Sequence, residues 1–352
     1  MLLARDAGYL VSVQLSSPLV STLVLSIALT VAAHLRRMRQ VTIVEFLWAL
    51  GVLMAGAATP VRAHGVVGQR FFPATLAIDD PFVADELSLP TASVARRDGT
   101  EEEPPGVETE FSAELSKRLS PNLGLSLGGA VIMIAPEDGP TIAGFDNMEI
   151  GLKYVFLKSA AHELIVAAGL DIDVGGTGQE RVGAEPFSTF TPSLFFGEGL
   201  GDLPDSMRYL KPPAVTGVLG LALPVRDDPR VFQWGFTLQY SLQYLQSYVR
   251  DVGLPAPFNR MIPIVEFAMN TSVEGRSRTT GTISPGIIWF GRHVQLGFEA
   301  LIPVNGNTLD PVEEARQNGV GFLGQIHFYL DDIWPEVFTW TPFSGVLGPT
   351  QP

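Results

Sequence analysis

Between residues 232 and 244 the chain reads FQWGFTLQYSLQY. Phe232, Trp234, Phe236, Leu238, Tyr240, Leu242 and Tyr244 alternate with Gln233, Gly235, Thr237, Gln239, Ser241 and Gln243. Successive side chains of a β-strand point to opposite faces, so the stretch predicts a strand with one bulky apolar face and one small or amide-bearing face. A helix would scatter the same residues around its circumference. The alternation outlasts the roughly 5–6 residues of an ordinary soluble strand and suits the roughly 9–11 residues of a tilted strand crossing a bilayer.

The same period recurs and predicts about twelve strands. The first is a weak one with Leu87, Leu89, Thr91 and Val94. The second sets Val107, Thr109, Phe111, Ala113 and Leu115 against Glu108, Glu110, Ser112, Glu114 and Ser116, and the turn Ser120-Pro121-Asn122 leads to the third, with Leu123, Leu125, Leu127, Val131 and Met133. The fourth alternates Met148, Ile150, Leu152, Tyr154 and Phe156 with Glu149, Gly151 and Lys153, and the fifth alternates Leu164 to Val174 with Glu163, Asp171 and Asp173. The remaining seven are expected at about 188–196, 214–223, 232–244, 262–270, 282–290, 294–304 and 320–330. With both chain ends on the periplasmic side, connections after even-numbered strands should be short and those after odd-numbered ones long. The long 197–213 and short 226–230 connections break that rule, which leaves ten or fourteen strands open.

Two stacked soluble sheets would alternate too. Three features favour a membrane barrel. Aromatics (Tyr240, Tyr244, Tyr248, Trp289, Phe290) gather near strand ends, as an interfacial girdle requires. The opposite face carries Glu, Asp, Gln, Ser and Gly, which suit a wet lumen. Glycines lie inside strands, where a curved wall can use them. The expected fold is therefore all-β: a single antiparallel transmembrane barrel, preceded by a cleavable signal segment.

Composition refines this picture. Long apolar runs occur only in the first sixty residues. From Met38 the order is basic (Arg39), apolar (41–58) and then Pro60-Val61-Arg62-Ala63, a secretory signal cleaved before His64. Residues 1–37 then precede the true start, or else form a membrane anchor. The expected divisions are 1–63 (extension and signal), 64–86 (a periplasmic segment), 87–332 (the barrel) and 333–352 (a tail). Removing 1–63 takes away five arginines and two acids and moves the formal charge from −14 to −17. Such acidity excludes nucleic acid as a partner. The chain has no cysteine, so disulfides and thiolate metal sites are excluded. His64-Gly65 matches the start of copper-dependent polysaccharide monooxygenases over two residues only, and no metal or other cofactor is expected.

The expected lumen lining is Glu108, Glu110, Glu114, Glu149, Lys153, Asp171, Asp173, Gln233, Gln239, Glu266, Glu299, Gln325 and His327. Carboxylates of one sign in a narrow channel would favour cations; the plainer account is a hydrated wall of paired or solvated acids. His327 is the one histidine well placed to act as a base, and no serine can be matched to it by spacing, so no catalytic residue is assigned.

The signal segment, the long alternating strands and the ending Gly324-Gln325-Ile326-His327-Phe328-Tyr329-Leu330-Asp331-Asp332 resemble the bacterial outer-membrane proteins named after the meta-cleavage pathway of phenol degradation. The resemblance covers most of 107–332. It implies a transporter-like barrel in the Gram-negative outer membrane for passive movement of small molecules, hydrophobic ones among them, with lipid, solute and the barrel-insertion machinery as partners. Two alternatives stand beside a channel: a structural or binding barrel whose lumen is closed by a terminal segment, and a barrel hydrolase with a Ser or Thr hydroxyl within reach of His327 or His293.

Overall fold

A computed structural model describes residues 65–100, 104–226, 228–274, 277–309 and 316–343. The expected signal segment, His64 and the last residues of the tail lie outside these. β1 (Val66–Val67) and β2 (Arg70–Phe71) pair with each other. The wall follows as β3 (Glu86–Arg97), β4 (Gly106–Arg118), β5 (Leu123–Pro136), a short β6 (Ile142–Phe145), β7 (Met148–Ser159), β8 (Leu164–Val174), β9 (Thr189–Gly199), β10 (Pro213–Pro224), β11 (Val231–Tyr240), β12 (Met261–Ser272), β13 (Thr279–Phe290), β14 (Val294–Val304) and β15 (Gly321–Tyr329).

Each wall strand runs antiparallel to its neighbours. β5 pairs with β4 along its length, with β7 over Leu123–Gly128 and with β6 over Val131–Ile134. β15 pairs back onto β3, so the sheet closes as a barrel of twelve strands with β6 as an extra short ribbon. Closure pairs every edge that an open sheet would expose. An eleven-residue strand tilted by about 40° rises about 28 Å, close to the ~30 Å hydrocarbon thickness of a bilayer.

The two faces of the wall are inverted relative to a soluble protein. Phe111, Leu127, Leu152, Phe156, Leu194, Leu219, Leu238, Phe298 and Phe322 are among the exposed large apolar side chains. Thr216, Thr237, Glu266, Ser284, Gln295 and Glu299, pointing the other way, are fully buried. Apolar outside and polar inside is the arrangement a lipid-embedded barrel requires. All twelve predicted wall strands are present, and the connections 200–212 and 241–260 really are long.

Four expectations need correction. The 232–244 alternation ends as a strand at Tyr240. The Ser241 side chain accepts the Tyr244 backbone N–H and caps a helical turn, Leu242–Tyr244, that runs on into Leu245–Val249; serine at an N-cap competes with the ladder in this way. Trp289, Phe290 and Tyr244 do not belong to a lipid-exposed girdle, because all three are buried. Leu330 is not a lipid-facing strand residue either; it opens a helix (Leu330–Ile333) and is buried. Finally, the segment before β3 does not lie outside the barrel: residues 71–83 thread the lumen.

The C-terminal residues fold back. Asp85 accepts from Lys117 Nζ (2.6 Å), Arg118 N (3.0 Å) and Arg118 Nε (2.9 Å), while Lys117 Nζ also donates to the carbonyls of Phe338 (2.9 Å) and Trp340 (2.8 Å). One buried carboxylate thus ties the start of β3 to the end of β4 and, through Lys117, to the tail.

Candidate functional site

The lumen holds a plug, and the wall is built around it. Glu266 on β12 accepts three consecutive backbone N–H groups, from Leu76 (3.0 Å), Ala77 (2.8 Å) and Ile78 (3.0 Å). Gln295 Nε2 on β14 donates to the Ala74 carbonyl (2.7 Å). Lys153 on β7 reaches the Asp80 carbonyl (2.6 Å) and the Asp79 carboxylate (2.8 Å). These contacts satisfy backbone groups that a segment lacking secondary structure would otherwise leave unpaired inside the barrel.

Two wall glycines show how closely the plug approaches. A Cβ at Gly235 would stand 2.6 Å from Ile78 Cγ2, and one at Gly297 would stand 2.6 Å from Leu76 Cδ1. Plug and wall also share apolar clusters. Val67 and Phe72 pack with Val155, Ile165, Ala167, Phe195 and Ala214. Phe71 and Leu76 pack against Ile262, Ile264, Ile288 and Phe290, with the Phe71 and Phe290 rings 4.6 Å apart.

Arg70 fixes the plug at the terminus side. Its Nε lies 3.1 Å from Glu163 Oε2, its Nη1 donates to the Pro212 carbonyl at 2.6 Å, its Nη2 donates to the Lys211 carbonyl, and its guanidinium lies 3.9 Å from the Tyr244 ring centroid. Both members of the ion pair are buried. Burial pulls the Arg70 pKa below its ordinary value and Glu163 opposes the shift. Two long connections therefore have a role, since 200–212, longer than the sequence pattern predicts, supplies the carbonyls and 241–260 the ring.

On the loop side of the plug lies a cavity of about 780 Å³. Its lining includes Glu110, Glu114, Glu149, Lys153, Asp171, Asp173, Gln233, Gln325 and His327 from the expected set, together with Asp146 and the plug's Asp79 and Asp80. Lys153 is the one lysine in that lining, and its Nζ also lies 4.5 Å from the Phe195 ring centroid. Asp80 is pushed up to about 7, chiefly by burial, with Lys153 opposing and Glu86 and Asp79 adding to the rise.

The other expected residues lie elsewhere. Glu108 is taken by Arg97 (2.6 Å). Glu266 holds the plug, and Glu299 is buried beside it on the inner face. Gln239 is buried and its amide has no hydrogen-bond partner among the described residues. Sequence reasoning missed Asp79, Asp80, Glu86 and Ser88 as lumen residues. The available signal was the change from polar to apolar along the inner face of β12 and β13, where Ile262, Ile264, Ile288 and Phe290 need something apolar to pack against.

No protein-family profile matches the chain, and no curated protein matches it. Among solved structures it is similar to the KdgM porin, at 9% identity and a TM-score of 0.40, covering 68% of this chain and 98% of the porin. It is also similar to the COG4313 outer membrane channel from Pseudomonas putida F1, at 12% identity and a TM-score of 0.45, covering 74% and 99%. A third is the translocator domain of autotransporter NalP from Neisseria meningitidis, at 9% identity and a TM-score of 0.37, covering 69% and 87%. The strand pairing and the inverted faces themselves establish the outer-membrane type of barrel.

Proposed function

We propose that the chain is a channel of the Gram-negative outer membrane that admits small solutes, cations in preference, and is restrained by its own N-terminal segment. The observation that carries this reading is the acid-lined cavity inside a closed, lipid-compatible wall. Like charges in a low-dielectric enclosure focus the field and concentrate counter-ions. Small amines and metal cations fit this chemistry better than anions do. Membership of the meta-cleavage family, delivery by the insertion machinery and passage of hydrophobic solutes belong to the same proposal as expectations from the sequence pattern.

The test is reconstitution of the purified chain in planar bilayers under a salt gradient. Conductance should be small, with a reversal potential of the sign for cation flow, and should increase when a plug anchor is removed. Silence in both the intact chain and an anchor variant would refute transport. That outcome would favour a binding barrel, the second reading, which the tightly held plug supports.

A further inference from the structure

The wall carries an arrangement that transport does not use. Where β15 meets β3, Ser88 Oγ lies 2.9 Å from His327 Nδ1, and His327 Nε2 lies 3.3 Å from Glu86 Oε2. With the ring proton on Nε2, facing the Glu86 carboxylate at ion-pair distance without a hydrogen bond to it, His327 Nδ1 is free to accept the Ser88 hydroxyl proton. His327 is buried, while Ser88, Glu86 and His327 all line the cavity.

The backbone is shaped at this point. Ser88 pairs with His327 on one side and Glu114 on the other, and Thr91 pairs with Gln325 and Ser112. Leu89 and Pro90 therefore oppose a single residue on each neighbouring strand, a bulge that keeps both Ser88 and Thr91 on the lumen face. Gln325 Nε2 donates to Thr91 Oγ1 at 3.2 Å, so an amide donor stands on the same face two residues along β15 from His327, across the bulge from Ser88.

We propose that Ser88, His327 and Glu86 form a hydrolytic site in the lumen for small carboxylic esters that carry an amine. Ser88 Oγ attacks the ester carbonyl carbon as His327 Nδ1 takes the hydroxyl proton, and the Glu86 carboxylate holds the ring and offsets its positive charge. The tetrahedral oxyanion collapses, the C–O bond to the alcohol breaks, and His327 returns the proton to the departing alkoxide. A lumen water, deprotonated in turn by His327, hydrolyses the acyl-serine to the free acid and restores Ser88. The Gln325 amide is the side-chain donor for the oxyanion. The surrounding carboxylates select a cationic substrate and reject an anionic one, and the cavity volume limits it to a small molecule.

The full chain folded in detergent, treated with a fluorophosphonate and analysed by peptide mass spectrometry, should carry the adduct on Ser88. Acetylthiocholine should be cleaved faster than an uncharged thioester of acetate. Ser88→Ala should abolish both the adduct and the turnover, and His327→Gln should reduce turnover at least a hundredfold. For Glu86, a positioning residue, Glu86→Gln should lower kcat with KM little changed, and Glu86→Asp should restore part of it. Absence of the adduct from the wild-type chain, or turnover in Ser88→Ala equal to wild type, would overturn the proposal. Neither readout requires conductance, so it fails or stands separately from the transport reading.

Discussion

Replacing Arg70 by alanine tests whether the plug is a restraint on the lumen. The substitution removes the guanidinium from Glu163, from the Pro212 and Lys211 carbonyls and from the Tyr244 ring. Breaking one member of a buried ion pair costs about 3–5 kcal/mol, because the other charge is left buried without compensation. That cost falls on the docked state, since Glu163 regains water once the plug leaves. At about 1.4 kcal/mol per factor of ten, the undocked fraction should rise roughly a hundred- to several-thousand-fold. Glu266, Gln295 and Lys153 still hold residues 74–80, so openings should become more frequent rather than permanent. Single-channel recording would count the events, and chymotrypsin cleavage after Phe71 would report exposure of the plug. The double substitution Arg70→Ala with Glu163→Ala should lie closer to wild type than Arg70→Ala alone. Wild-type event frequency together with continued protease resistance in Arg70→Ala would refute the reasoning.

The plug should also respond to pH. The Asp80 carboxyl, facing Lys153, Asp79 and Glu86, is raised to about 7 in the docked state against an ordinary 3.8. The docked state therefore binds the extra proton between those values, so docking is strengthened at pH 5 and weakened as pH rises through about 7; Asp80→Asn should flatten a pH series of plug protection. Gly297→Ala would place a Cβ within 3 Å of Leu76 Cδ1, Cδ2 and Cγ, and should loosen docking by about 1–3 kcal/mol, read as faster amide exchange at residues 76–78. Lys153→Met removes the one lysine in the cavity lining and should move the reversal potential further toward that of an ideal cation channel. Asp85→Ala removes the carboxylate that Lys117 and Arg118 share, leaving them the Phe338 and Trp340 carbonyls and Asp331, and should cost about 1–3 kcal/mol, seen as barrel unfolding at a lower temperature in a gel-shift series.

The wall was legible because its alternation has a period of two and is repeated twelve times with polar residues between. Even the long 197–213 and short 226–230 connections that seemed to argue for a miscount were consistent with twelve strands, and the length of the first reflects the carbonyls of Lys211 and Pro212 that it brings to Arg70. Leu242 and Tyr244 misled because they continue the alternation into a helical turn, where only the Ser241 cap marks the change. The plug was hidden for a different reason. Residues 65–85 have little periodicity of their own, and what shapes them lies on distant strands: Glu266, Gln295, Gly235 and Gly297. Glu266 and Glu299 read as lumen acids and do face inward, but no local pattern distinguishes a carboxylate meeting solvent from one gripping backbone amides. Ser88 could not be matched to His327 by spacing because the two strands are adjacent only after closure, and the Leu89–Pro90 bulge shifts their register.

The contact between Ser88 and His327 spans 239 positions in sequence and sits on the seam that closes the cylinder. Until first and last strands meet, the hydroxyl and the imidazole belong to opposite ends of an unfinished ribbon. The plug precedes the first of those strands, so it must be enclosed before or as the ribbon zips shut. A reagent that detects the serine–histidine pair would then serve as a clock for biogenesis, silent on every partly assembled intermediate and answering only when the cylinder is complete.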